Sequence, residues 1–160
     1  MRALPMLISC LSLFIAGCTP DEEHQNDADL IRVFHDQRAT FDKLITMIQA
    51  DHGLERVDYN WTLPDPPPIS QERLALYRTL LKSIDCVRGF ENFKTKKEII
   101  FIASATGMVT GGSSKGYRFS PEQPSPVVDD LDTYRPGHNR TYAAFRHIEG
   151  DWHLIYEYDD

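Results

Sequence analysis

The sequence predicts an α+β domain in which two N-terminal helices pack on an antiparallel sheet of four to five strands. Three observations carry that expectation. Apolar residues recur at three- and four-residue spacings between residues 27 and 51, and again after Ser70. From Cys86 onward they fall into short runs separated by lysine-, glycine- and proline-rich turns. Strands that follow one another without helices between them exclude a doubly wound parallel sheet.

Asp27 is a candidate N-cap for a first helix running to about Asp51, with Leu30, Ile31, Phe34, Phe41, Leu44, Ile45 and Ile48 on its core face. His52-Gly53 is a stop signal. Leu54 to Thr62 alternates through Val57, Tyr59 and Trp61 as one short strand. The run Leu63-Pro64-Asp65-Pro66-Pro67-Pro68 breaks regular structure. Ser70 then caps a second helix that buries Leu74, Tyr77, Leu81 and Ile84. Candidate strands follow over 86–93, 98–106, 113–119, 140–148 and 152–158. Ile99-Ile100-Phe101-Ile102 is apolar without alternation, as in a strand covered on both faces. Between residues 120 and 139 runs an irregular stretch with four prolines.

The last two strands form a hairpin around Glu149-Gly150-Asp151. With a two-residue turn, odd residues of one strand oppose even residues of the other. That parity places Ala143, Phe145, His147, Trp152, Leu154, Tyr156 and Tyr158 on the core face. It places Arg146, His153, Ile155 and Glu157 on a wet outer face, with His147 and His153 on opposite sides.

Length and charge narrow the function classes. Of 160 residues, 17 are basic and 24 acidic. Loss of the first 17 residues, which include Arg2, moves the net charge from −7 to −8. An acidic surface repels phosphate backbones, so nucleic-acid partners are not expected. Cys86 is left as a single buried thiol, so the fold is expected to hold without disulfides.

The N-terminus is the most specific signal. Arg2 precedes an apolar stretch from Leu4 to Ala16, long enough for a signal peptide and too short for a bilayer span. It ends in Ile15-Ala16-Gly17-Cys18, which resembles the lipobox of bacterial lipoproteins. The resemblance implies cleavage before Cys18 and acylation of that cysteine, holding the protein at a membrane. Thr19 in place of aspartate implies the outer membrane, facing the periplasm; the inner membrane is the alternative. The domain boundaries are then 1–17 for the signal peptide, 18–27 for a lipidated cysteine and tether, and 28–160 for a single domain. The stretch from Ser113 to Asp132 is similar to segments of small uncharacterised bacterial proteins and implies no activity.

Catalytic motifs are sparse. No H-E-x-x-H, paired C-x-x-C or S-x-x-K is found, and no G-x-S-x-G elbow is expected. Residues 107–116 are rich in glycine and serine, but Lys115 follows serine and no helix comes next, so a phosphate loop is not expected. No cofactor and no metal are expected. The leading expectation is a protein-binding module of the immunity, inhibitor or envelope-assembly type, engaging a basic partner. Its candidate residues are Asp129, Asp130, Asp132 and Tyr134 in the irregular stretch, with Arg146, His153 and Glu157 on the hairpin. The alternative is a small envelope hydrolase with a site near His138, His153 and residues 129–132, or a serine such as Ser104, Ser113 or Ser114 paired with a histidine.

The lipobox gives the first testable prediction. A fatty-acid label fed to cells should attach to the wild-type protein and not to Cys18→Ser, which should leave the membrane fraction. Equal labelling of the two proteins would exclude the anchor.

Overall fold

The computed structural model describes residues 24–108, 111–137 and 141–160. The signal peptide, Cys18, all of the tether before His24, and His138 lie outside the described residues. The described chain is α+β, with three helices and an antiparallel sheet of seven strands.

The expected first helix is two: α1 (Asp27–Asp36) and α2 (Arg38–Ala50). Gln37, at φ −114°, caps the end of one and the start of the other. No glycine or proline marks that break. The N-cap of α1 is Asn26, not Asp27: the Asn26 carboxamide oxygen accepts from the Asp29 N–H at 2.9 Å. α3 (Gln71–Ser83) begins where Ser70 was expected to cap it, with Ser70 Oγ accepting from the Arg73 N–H at 3.2 Å.

The expected strand at Leu54–Thr62 turns on itself instead. β1 (Arg56–Val57) and β2 (Thr62–Leu63) form a minimal hairpin, closed by an Asp58 N–H to Trp61 C=O bond of 3.0 Å. The remaining strands are β3 (Phe90–Phe93), β4 (Glu98–Met108), β5 (Gly111–Phe119), β6 (Thr141–Glu149) and β7 (Trp152–Asp159). These five match the five strands read from the sequence, and the hairpin raises the total to seven. The order across the sheet is β2-β1-β3-β4-β5-β7-β6. Gly111 and Gly112 are the first residues of β5.

The helices cover one face. There Phe34, Phe41, Phe101, Tyr117 and Trp152 form one aromatic cluster, all fully or nearly fully buried. Their ring centroids are 4.8 Å apart for Phe41–Tyr117 and 5.2 Å for Phe34–Trp152. Such pairs add about 0.5–1.5 kcal/mol each beyond burial. Cys86 joins this core with a fully buried thiol, and burial pushes its pKa up, so it packs as a small apolar residue.

The register of the β6–β7 hairpin differs from expectation. Glu149 pairs with Trp152, but His147 pairs with His153, because Ile148 is extra. One inserted residue reverses the faces of all of β6 before it. Tyr142, Ala144 and Arg146 therefore point to the helix side with Trp152, Leu154 and Tyr156, while Ala143, Phe145 and His147 point outward. His147 and His153 share the outer face, ring centroids 5.1 Å apart.

That outer face is dry at its centre. Ile100, Ile102, Phe145 and Ile155 form a second, smaller buried cluster, as the apolar run in β4 suggested. Arg118 lies over the Phe145 ring at 5.5 Å and donates to the Glu122 carbonyl at 3.0 Å, tying the chain after β5 onto this face. Farther on, the Val128 N–H donates to Phe145 C=O at 2.7 Å, so the segment runs along the free edge of β6. It then reaches the helix side, where Leu131 is buried and Val128 and Tyr134 pack on the main core.

His153 is 1% exposed on the outer face, and its Nδ1 has no hydrogen-bond partner among the described residues. Burial, His147 and Arg118 together hold its imidazole below the ordinary histidine pKa. The unfolded chain therefore takes up the proton more readily than the folded one. Stability is complete above about pH 6.5 and is lost as pH falls below it. Denaturant midpoints measured from about pH 7 to about pH 5 should decline more steeply in the wild type than in His153→Gln. Equal slopes would show that His153 does not carry the effect.

Candidate functional site

Asp27 is the hub of the polar end of the molecule. It is 1% exposed, in the first turn of α1. Its Oδ1 is 2.7 Å from Lys115 Nζ on β5, and its Oδ2 accepts from Arg146 Nη1 on β6 at 2.9 Å. The same Oδ2 accepts from the Leu131 N–H at 2.8 Å. Asp132 closes the network by accepting from the Asp27 N–H at 3.0 Å and pairing with Lys115. A helix start, two strands and the irregular segment thus meet at one carboxylate.

This arrangement reassigns the sequence candidates. Asp132 is an internal strut as well as a surface acid. Asp130 is exposed and accepts from the N–H groups of Asp132 and Thr133, bonds that lower its pKa. Asp129 is exposed. Tyr134 is half-buried, its ring 6.0 Å from Tyr142. Arg146 belongs to the Asp27 network on the helix side, and not to a face shared with His153 and Glu157. Glu157 is exposed and accepts from Ser114 Oγ at 3.0 Å. His153 lies on the face opposite Asp132, so a site joining them does not form.

Asp27, Asp130 and Asp132 bring carboxylate oxygens within 4.8 Å of one another, close enough to share a cation. Lys115 and Arg146 already supply positive charge at that point. The cluster is therefore an ion-pair network in which two cations offset most of the charge of three carboxylates, and a metal ion would have to displace an ammonium group.

Beside the network opens a cavity of about 660 Å³. Its walls include His24, Ser113, Lys115, Arg135, Tyr156 and Tyr158, and its rim carries Asp132, Asp159 and Asp160. Tyrosine side chains line up along the β6–β7 pair. Tyr142 stacks on Tyr158 with centroids 5.6 Å apart and lies 5.9 Å from Tyr156. Burial, with Tyr156 beside it, raises the pKa of Tyr142, so its hydroxyl stays neutral near pH 7.

Two features escaped the sequence reading. His24, assigned to the tether, is seated against the sheet: Nδ1 is 2.6 Å from Ser104 Oγ and Nε2 is 2.8 Å from Ser113 Oγ. Gly112-Ser113-Ser114-Lys115-Gly116 does have the spacing G-x-S-x-G. It lies within strand β5, not on a strand–turn–helix elbow, and its central Ser114 bonds Glu157 on the outer face. The one available sequence signal for the network was Lys115, charged yet two residues before the inward-facing Tyr117.

No known family matches the chain, and neither curated proteins nor solved structures give a match. Among the described residues no helix is long and apolar enough to cross a membrane.

Removing Asp27 leaves Lys115, itself 3% exposed, with Asp132 alone and strands Arg146 and the Leu131 N–H. Breaking a buried ion pair from one side costs about 3–5 kcal/mol. Asp27→Ala should lower unfolding stability by that amount, while Asp130→Asn, which keeps an acceptor oxygen, should change it little. Similar denaturation curves for Asp27→Ala and wild type would show that the hub carries no stability.

Proposed function

We propose that the chain is a lipid-anchored envelope protein whose domain binds a basic segment of a protein partner at the tyrosine-lined cavity. The observation that carries this reading is the half-buried pair Tyr156 and Tyr158 in the cavity wall, with Tyr142 packed against both, beside the exposed acids Asp132, Asp159 and Asp160. Tyrosines supply large, stiff contact surfaces with little entropy to lose, and their ring faces attract cations. Carboxylates at the rim steer a positive partner and fix its orientation.

The anchor rests on Arg2, the apolar stretch Leu4–Ala16 and the Ile15-Ala16-Gly17-Cys18 ending. Cys18 precedes His24 by six residues, at most about 20 Å of extended chain. Because His24 lines the cavity, a lipid on Cys18 holds the cavity end close to the membrane. The partner is then a periplasmic or membrane protein with a basic surface, as in inhibitor and assembly roles. Thr19 after the cysteine favours the outer membrane.

A photo-crosslinking residue at Asp159, on the cavity rim, tests this in isolated envelopes. It should give a discrete adduct whose yield falls as NaCl is raised, with a basic peptide at the crosslink. The same residue at Glu72, exposed on α3, should give none. Equal adducts at both positions, or none at Asp159, would overturn the reading.

A further inference from the structure

We propose that the same cavity holds a serine nucleophile, Ser113, activated by His24, and that it cleaves small carboxylic esters. The proposal does not rest on the binding reading, which assigns the partner's contacts to the tyrosines and the acids of the rim.

The inner face of the sheet is apolar along Phe101, Ala103, Tyr117 and Leu154, then changes character. Past those residues it carries three hydroxyls, Ser104, Thr106 and Ser113, and an imidazole brought in from 80 and 89 residues away in sequence. Thr106 Oγ1 is 2.9 Å from Ser113 Oγ, which is 2.8 Å from His24 Nε2, while His24 Nδ1 is 2.6 Å from Ser104 Oγ. Tyr156 packs edge-on to the imidazole with centroids 5.6 Å apart and limits its rotation.

A neutral imidazole has one donor and one acceptor nitrogen. With the proton on Nδ1, His24 donates to Ser104 and accepts from Ser113, whose oxygen accepts in turn from Thr106. This is the ordering of a nucleophile, a general base and an orienting group. The cavity decides which serine is the nucleophile: Ser113, His24 and Thr106 line it, and Ser104 does not. Ser104 is therefore a positioning residue. It stands where triads place a carboxylate, and a neutral hydroxyl supports an imidazolium less. That limits the site to esters, whose alkoxide leaves more readily than an amine.

In the reaction, Ser113 Oγ bonds to the ester carbonyl carbon as its proton passes to His24 Nε2. The oxyanion forms in the cavity, whose wall includes Lys115, two residues along the same face of β5 and paired there with Asp27 and Asp132. Its collapse breaks the carbon–oxygen bond to the alcohol, which leaves with the proton from Nε2. Water then gives a proton to Nε2 and adds to the acyl carbon. Breaking the acyl–Oγ bond returns the proton to Ser113 and releases the acid. The sum is ester plus water to acid plus alcohol.

A fluorophosphonate probe, which Ser113 Oγ would attack with loss of fluoride, reads the nucleophile directly in the purified full-length protein. The expected result is covalent label on the peptide containing Ser113 and none in Ser113→Ala, with circular dichroism and melting temperature unchanged. His24→Gln should slow labelling about 100-fold. Ser104→Ala should slow it, and Ser104→Thr, which keeps the hydroxyl, should restore it. Folded wild-type protein that takes no label, or label that persists in Ser113→Ala, would overturn the proposal. Label retained when the Asp159 crosslink fails, or the reverse, separates this site from the binding reading.

Discussion

A carboxylate withdrawn from water must find its compensation inside the protein, and at Asp27 that requirement organises one whole end of the molecule. The side chain satisfies β5 through Lys115, β6 through Arg146 and the irregular segment through the Leu131 N–H. Apolar packing of the same volume would stabilise as well or better. The ion pairs add a constraint on register, because both cations must reach one carboxylate. A slip of β6 by one residue would turn Arg146 to the far face and leave the carboxylate exposed to an unbalanced field. The segment from Ser120 to Gly137 is long for a compact domain, yet it is held at both faces of the sheet. It is a girdle more than a mobile loop, and the exposed acids it carries, Asp129 and Asp130, are presented from a fixed base.

The hairpin shows how a single residue redistributes chemistry. Ile148 is a bulge, and with it Arg146 and Phe145 exchange faces relative to a regular ladder. Arg146 reaches Asp27, and Phe145 completes a second apolar cluster with Ile100, Ile102 and Ile155. The sheet thereby acquires two dry regions of unequal size, one on each face. The larger is covered by helices, and the smaller is closed by Arg118 and the chain that follows β5.

Much of this architecture was legible because it rests on local periodicity. The helix at Ser70, the five strands after Cys86 and the two-sided burial of Ile99–Ile102 all follow from spacing within a few residues. What was not legible depends on contacts distant in sequence, or on irregularities without a marker. Gln37 divides a helix with no glycine or proline to announce it. Tyr59 and Asn60 turn the chain where alternation alone suggests one strand. Asp27 and Arg146 are 119 residues apart, and His24 and Ser113 are 89 apart. Composition gives no sign that they meet. Arg146 was read onto one face with His153 and Glu157 and lies on the other, since the face of every residue in β6 before Ile148 hangs on the bulge.

The borders of the sheet have one more implication. An open sheet ends in two rows of backbone donors and acceptors, either of which can template another chain. Here one border is β2, only two residues long and followed at once by Pro64, Pro66, Pro67 and Pro68, which offer no N–H. The other is β6, where Phe145 gives its N–H to Pro126 C=O and receives the Val128 N–H. Along β2 and at Phe145 a neighbouring chain would therefore find little exposed backbone to pair with. At these two places a neighbouring chain would be met by side chains and prolines rather than by free backbone.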